Sequence, residues 1–205
     1  MNLFPIFLKL EGRLAVVAGG GTIAQTKISS LLQAGARVRI IAPEINAQLA
    51  ALVRSGKVEW SAKKFSPDDL DGAFLTVAAT SVPGVNEAVY RAAESRGILC
   101  NAVDDTQHSH FYYGAVVQRG DLQIAISTNG KSPALAQRLR KELEQQFGPE
   151  YEVWLEWLGA VRDVLRANEP ASEETRKLLH ALASAPSFER FLRESRRRPN
   201  QRGDA

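Results

Sequence analysis

The stretch "RLAVVAGGGTIAQTK", residues 13–27, constrains the chain more than any other. A short apolar run rich in valine meets three glycines, and a helical pattern begins directly after them. An apolar run closed by glycine reads as a buried strand over 13–20. Ile23, Ile28, Leu31 and Leu32 then recur at helical spacing, and Gly35 marks the end of a helix over 22–35. The turn between them has the pattern Gly19-x-Gly21-x-x-Ala24. Gly19 permits a tight exit from the strand. Gly21 has no side chain, so a pyrophosphate can approach the backbone, and Ala24 lets helix and strand pack closely. The helix start offers free N–H groups and a positive dipole end to phosphates. The motif is weak alone; a strand before it and a helix after it supply the confirming context. The competing reading is a turn whose glycines serve packing only. The GKS/T element of a nucleoside-triphosphatase loop is absent from the stretch, which disfavours ATP hydrolysis.

The alternation continues along the chain. Residues 36–43 read as a second strand stopped by Pro43, 44–56 as a helix, and 58–65 as a third strand. Residues 73–80 give a fourth strand, 84–97 a helix and 98–105, "ILCNAVDD", a fifth strand. Strand-helix alternation of this kind predicts an α/β fold built on a Rossmann-like, doubly wound parallel sheet. Past residue 110, "FYYGAVVQRGDLQIAISTNG" predicts an antiparallel hairpin around "RGDL". Ser132 is an N-cap candidate and Pro133 suits the first position of the helix that follows. From 149 onward the pattern is helical, with breaks at Pro149, Pro170 and Pro186, and the Arg-rich tail after about 195 is expected to be disordered.

Charge and cysteine usage narrow the function classes. The 26 Lys and Arg against 23 Asp and Glu leave a net charge of +3, which is no nucleic-acid footprint by itself. Much of the basic excess lies in "RFLRESRRRPNQR", read as a solvated terminus, the alternative being an acidic or nucleic-acid partner. The single cysteine, Cys100, excludes an internal disulfide and a Cys-based zinc site, and its place after an apolar strand suits burial. The opening "MNLFPIFLKLEGR" is apolar for too short a span to read as a leader, and no apolar run reaches the ~20 residues that cross a bilayer. The expectation is a reduced cytoplasmic protein with no membrane and no nucleic-acid partner. The second strand ends Ala42-Pro43-Glu44, where a Rossmann strand often ends in the acid that holds the ribose. Arg37 and Arg39 lie toward its start, so the pattern does not separate NAD from NADP.

Six segments taken in order carry a resemblance: "PIFLKLEGR", "VVAGGGTIAQTK", "LLQAGARV", "VAAT", "ILCNAVDD" and "IAISTNGKSPALAQRLRKELE". Over residues 1–148 the chain resembles the precorrin-2 dehydrogenase / sirohydrochlorin ferrochelatase family. The resemblance implies an NAD-binding Rossmann-like domain over 1–113, a dimerisation region over 114–148 and a helical C-terminal domain over 149–205. It implies a homodimer and NAD-dependent oxidation of precorrin-2 to sirohydrochlorin. In some members it also implies Fe2+ insertion. The family's catalytic aspartate maps to Asp104 of "NAVD". There are departures. The family often reads Ala-x-Arg-Lys after its glycines; here it is Ala24-Gln25-Thr26-Lys27. "DTQHSHFYY" follows the aspartate, and "STNGKSP" adds the cation Lys131.

Dehydrogenation sends a hydride to the nicotinamide and a proton to a base, and positioning supplies much of the catalysis. Asp104 and Asp105 leave the carboxyl end of a predicted strand, where open α/β sheets bind ligands. An aspartate is a poor base at a reference pKa of ~3.9 unless burial or a second carboxylate raises it. Without the resemblance, the pair reads as a solvated turn or helix cap. Expected cofactor contacts are Gly19, Gly20, Gly21, Thr22, Ile23 and Ala24, with Pro43, Thr80 and Asn101. Thr80 equally suits capping of the next helix, and Asn101 a structural role at a strand end. The tetrapyrrole carries many carboxylates, so Ser132, Lys131 and Arg138 are substrate-binding candidates, with Arg119 a further charge. The alternative for these is an ordinary helix start with a solvated face. His108 and His110 would share one side of a strand, but two histidines without further ligands do not make a metal site, and none is expected. His180 suits a surface position. The function from another class is a non-catalytic dinucleotide-sensing or tetrapyrrole-binding module. The lack of a Tyr-x-x-x-Lys dyad argues against a short-chain hydroxyl dehydrogenase.

Overall fold

The structure, a computed structural model, describes residues 3–168 and 172–197. Its backbone divides into two compact units, one through Tyr113 and one from Gly114. The first unit runs β1 (Leu14–Ala18), α1 (Thr22–Gln33), β2 (Arg37–Ile41), α2 (Ala47–Arg54) and β3 (Glu59–Ser61). A 3-10 turn (Pro67–Leu70), β4 (Leu75–Ala78), α3 (Pro83–Glu94), β5 (Leu99–Ala102) and β6 (Asp105–Ser109) complete it. The strands form one sheet in the order β3-β2-β1-β4-β5-β6. The first five are parallel and β6 runs antiparallel to β5.

The valine-rich first strand is explained by burial on both faces. Ala15 and Val17 face the core beneath α1 and α2, with Ala24, Ile28, Leu31 and Leu49. Val16 and Ala18 face the opposite core, with Val89, Ala92 and Ala93 of α3 and Cys100 of β5. A strand covered by helices on both sides reads as a continuous apolar run. Each fully buried valine or isoleucine contributes about 1.5–3 kcal/mol. Thr76 is a fully buried polar member of this interior, and its hydroxyl donates to the Val16 carbonyl at 2.9 Å.

Two expectations are corrected in this unit. The third strand covers only Glu59–Ser61, held at the sheet edge by ion pairs from Arg37 and Arg39 to Glu59. The fifth strand stops at Ala102 rather than running through Asp105. Val103 and Asp104 form a two-residue turn, with Asp104 at φ +59, and Asp105 opens an antiparallel edge strand. Aspartate tolerates that left-handed backbone better than most residues. The sixth strand, "DTQHS", carries no apolar alternation, so periodicity had nothing to register.

The second unit holds the expected hairpin, β7 (Ala115–Arg119) with β8 (Leu122–Ile126). Four helices follow: α4 (Pro133–Gln146), α5 (Glu150–Asn168), α6 (Glu173–Leu182) and α7 (Ala185–Arg197). Tyr151 and Trp154 of α5 stack with Phe188 of α7. Pro149 precedes α5, whereas Pro186 sits inside the first turn of α7, where a missing N–H has no helical partner to lose. Pro170 lies outside the described residues. Residues 196–197 belong to α7 instead of a disordered tail, and the tail beyond them lies outside the described residues. Among the described residues no helix is long and apolar enough to cross a membrane.

One buried carboxylate fixes the segment after β3. Asp69 accepts from the Ser66 N–H at 2.8 Å and the Ser66 hydroxyl at 3.1 Å, and pairs with Lys63 at 2.6 Å. Burial pushes its pKa up, but Lys63 and the two Ser66 donors together hold it below the ordinary value. A carboxylate held low in the folded state stabilises above its unfolded pKa, and that stability is lost as pH falls through the folded pKa. Asp69→Asn should therefore lower the free energy of unfolding by about 2 kcal/mol at neutral pH. It should also flatten the acid decline of stability below about pH 4. Urea melts of both proteins across that range check this.

Candidate functional site

The carboxyl ends of β1, β2, β4 and β5 surround a cleft of about 950 Å3. It sits at β1, from which the connections wind toward β2 on one side and β4 on the other. That reversal is where open α/β sheets bind ligands. Its floor is the glycine turn, and the three glycines have different jobs. Gly19 has φ +129, and a Cβ there would lie 2.3 Å from the Ala79 carbonyl oxygen at the end of β4. A Cβ on Gly20 would lie 2.1 Å from the Glu44 carbonyl oxygen in the loop after β2. These two let three loop ends converge. Gly21 has nothing within 4 Å of a Cβ position and faces open space.

The start of α1 suits an anion. Gly21 is its N-cap, so no side chain covers the free N–H groups, and no acidic residue stands in the first turn. On α2 and α4 such N–H groups are met by side chains: Asn46 caps α2 and Ser132 caps α4. A bare helix start with its dipole unopposed fits the pyrophosphate of a dinucleotide.

From this floor the cleft extends two ways. Toward β2 and β3 its walls are Pro43, Glu44, Lys64 and Phe65. Toward β4 and β5 they are Thr80, Ser81, Val82, Val85, Val103 and Asp104. The structure thus brings Gly19, Gly20, Gly21, Thr22, Ile23, Pro43, Thr80 and Asp104 to one cavity. Ala24 lies beneath it, fully buried where α1 packs on the sheet. Lys64 and Phe65 were missed by sequence reasoning; a place just past the end of β3 was the one signal for them.

Thr80 is bonded within the cleft wall, and the remaining candidates lie outside the cleft. The Asn101 amide donates to the Phe111 carbonyl at 2.9 Å, tying the chain after β6 back to β5, and Asn101 does not line the cleft. The Thr80 hydroxyl donates to Asn86 Oδ1 at 2.8 Å and accepts from the Val82 N–H at 3.2 Å, bracing the entry to α3. Ser132, Lys131 and Arg138 lie in the second unit. The Ser132 hydroxyl accepts from the Leu135 N–H, and Arg138 pairs with Glu142 one turn on. Arg119 donates to the Phe147 and Glu144 carbonyls at 2.8 and 3.0 Å, capping the end of α4.

The two neighbouring carboxylates part ways. Asp105 Oδ2 meets His108 Nδ1 at 2.6 Å, and its other oxygen accepts from the Gln107 and His108 N–H groups. The His108 contact, opposed by burial and helped by those N–H groups, holds the Asp105 pKa below its ordinary value. Asp105 is therefore spent inside the hairpin. His110 accepts the Cys100 N–H through Nδ1 at 3.0 Å, and both histidine rings lie against Tyr90. Among the described residues no cluster of three or more metal-ligating side chains occurs. The Cys100 thiol is buried and pushed up to about 12 by that burial, which keeps it unreactive.

Asp104 stands exposed at the rim. Lys27 of α1 holds its ammonium 3.7 Å from the centroid of the Tyr113 ring. Burial lowers the Lys27 pKa, and the charge of Asp104 acts in the opposite direction.

Comparisons with known proteins fit this geometry. Residues 6–115 match a family described as "Putative NAD(P)-binding", and residues 119–146 match "Sirohaem biosynthesis protein central". The chain is 37% identical over 185 residues to Siroheme synthase 1 of Aeromonas salmonicida, covering 90% of this chain and 40% of that protein. It is 40% identical over 177 residues to a Siroheme synthase of Neisseria meningitidis serogroup C, covering 86% of this chain and 37% of the relative. The chain thus spans well under half the length of these relatives. The solved structure of SirC, precorrin-2 dehydrogenase, superposes with a TM-score of 0.77 at 27% identity, covering 96% of this chain and 100% of SirC.

The three glycines can be separated experimentally. Gly20→Ala should destabilise the fold by about 2 kcal/mol or more, because its new methyl meets backbone. Gly21→Asp should keep or raise the melting temperature, since aspartate is a good N-cap. It should nevertheless weaken NADH binding about tenfold or more, equivalent to about 1.4 kcal/mol. Thermal melts and NADH fluorescence titrations of both variants check this.

Proposed function

The chain belongs to the NAD(P)-binding family that matches residues 6–115, and from that premise we propose that it oxidises precorrin-2 to sirohydrochlorin with NAD+. The observation that carries this reading is the cleft itself. A bare helix start and the exposed Asp104 carboxylate share one cavity, in a fold that follows SirC over 96% of the chain.

The bound dinucleotide supplies the hydride acceptor. The chain's own residues do the rest. Gly21 and the uncapped N–H groups of α1 hold the pyrophosphate. Ile23, Val82, Val85 and Val103 give the apolar wall against which a flat ring is held and water excluded. Asp104 takes the proton that leaves as the macrocycle gives up its hydride, completing a two-electron oxidation. It is suited to this by place: the two-residue turn presents its carboxylate on the rim of the cleft. The anionic side chains of the substrate call for cations, and Ser132, Lys131 and Arg138 are proposed to meet them.

We also propose a cytoplasmic homodimer joined through residues 114–148. A two-stranded ribbon is marginal alone. The β7–β8 ribbon leaves Val116 exposed, as α4 leaves Leu135. Val116→Lys should then shift the sedimentation mass from dimer toward monomer.

A spectrophotometric assay tests the activity. Purified protein with precorrin-2 and NAD+ should form NADH and sirohydrochlorin. Asp104→Ala should lose roughly a hundredfold or more in rate. NAD+ affinity should stay within about twofold, because the carboxylate is not part of the pyrophosphate cradle. Binding of both ligands without turnover in the parent protein would favour the non-catalytic module instead. Adding Fe2+ and sirohydrochlorin to the same preparation reads iron insertion separately, with Fe2+ as a substrate.

A further inference from the structure

In an open α/β sheet of this kind the adenosine ribose lies at the carboxyl tip of the second strand. An acid there serves NAD+, and a cation nearby serves the 2′-phosphate of NADP+. Here the tip is Ala42-Pro43, and neither side chain can bond a hydroxyl. The polar groups on this side of the cleft come from loops instead: Glu44 after β2 and Lys64 after β3, with Phe65 beside it. Lys64 is the one cation among the residues that line the cleft. The arginines of β2 are engaged at the sheet edge, where Arg37 and Arg39 both pair with Glu59.

The backbone around Lys64 is fastened on both sides. The Ala42 N–H donates to the Ser61 carbonyl at 3.3 Å, and Trp60 Nε1 donates to the Ala42 carbonyl at 2.9 Å. These bonds tie the end of β3 to the tip of β2. The Lys63 N–H then turns back to the Ser61 carbonyl at 2.9 Å. Buried Asp69 holds the two flanks, Lys63 by an ion pair at 2.6 Å and Ser66 by two hydrogen bonds. Phe65 packs against the core shared with α3. Among the described residues no hydrogen bond or ion pair engages the Lys64 ammonium, whereas its neighbour Lys63 is committed to Asp69. An unpaired surface lysine is ordinary. One carried on a fastened strap at the ribose end of a dinucleotide cleft is placed to meet a phosphate.

We propose that Lys64 sets the coenzyme selectivity of the cleft: its ammonium receives a 2′-phosphate on the adenosine ribose, so the site takes NADP+ alongside NAD+. The proposal rests on the reading of the α1 start as the pyrophosphate cradle, which directs the adenosine toward β2 and β3.

Fluorescence titrations with NADH and NADPH test it. The parent should bind NADPH within about tenfold of NADH. Lys64→Gln should shift the ratio of the two affinities against NADPH by about tenfold, the loss of one charge-assisted contact. Lys64→Arg, which keeps the charge, should hold the parent's ratio. Because both affinities are read on one preparation, the ratio is independent of how much of the variant is folded. Added salt should weaken NADPH more than NADH in the parent, and that difference should shrink in Lys64→Gln. An unmoved ratio in Lys64→Gln would overturn the proposal, as would a parent that binds NADPH more than about tenfold more weakly than NADH. Either result leaves the pyrophosphate cradle standing. A parent that binds neither dinucleotide would overturn the cradle and this proposal together.

Discussion

The site depends on a collision that glycine avoids. At Gly19 and Gly20, the backbone of the first turn meets the carbonyls of Ala79 and Glu44 at distances no side chain permits. That contact draws the ends of β2 and β4 against the start of α1. Backbone bonds reinforce it: the Gly19 N–H donates to the Ile41 carbonyl at 3.0 Å, and the Asn46 N–H to the Gly20 carbonyl at 3.0 Å. The crevice is therefore set by main chain, and its shape is decoupled from the identity of most residues that line it. Side chains can then vary the chemistry around a fixed floor.

Around that floor, polar groups divide into those that build and those left to act. Asp69, Asp105, Asn86, Asn101 and Arg119 all have their bonding capacity committed to neighbouring backbone or side chains. Asp104 and the amides at the start of α1 do not. Uncommitted polar groups beside a cavity stand out because folded chains otherwise pair such groups.

Most of the parallel core was legible because it is periodic and double-faced: four apolar segments, each ended by glycine, proline or a polar turn, mark β1, β2, β4 and β5. The glycine motif gave the floor of the cleft, yet only the turn's surroundings assign each glycine its task, since Gly20 meets a loop some two dozen residues away. The sixth strand was illegible because an edge strand of polar residues has no burial to impose a pattern. Asp104 and Asp105 look equivalent in sequence. A one-residue change from turn to strand sends one into the cleft rim and the other into a histidine contact. Lys64 and Phe65 carried no motif, and their place follows from strand order alone.

The two-residue turn at Val103–Asp104 has an evolutionary corollary. Loops of this kind elsewhere on a Rossmann rim drift in length, since closing a longer loop is inexpensive. Here an inserted or deleted residue would rotate the carboxylate off the rim and slip the pairing of Ala102 with Asp105. Divergent descendants of such a chain should accumulate substitutions across this hairpin while keeping its residue count unchanged.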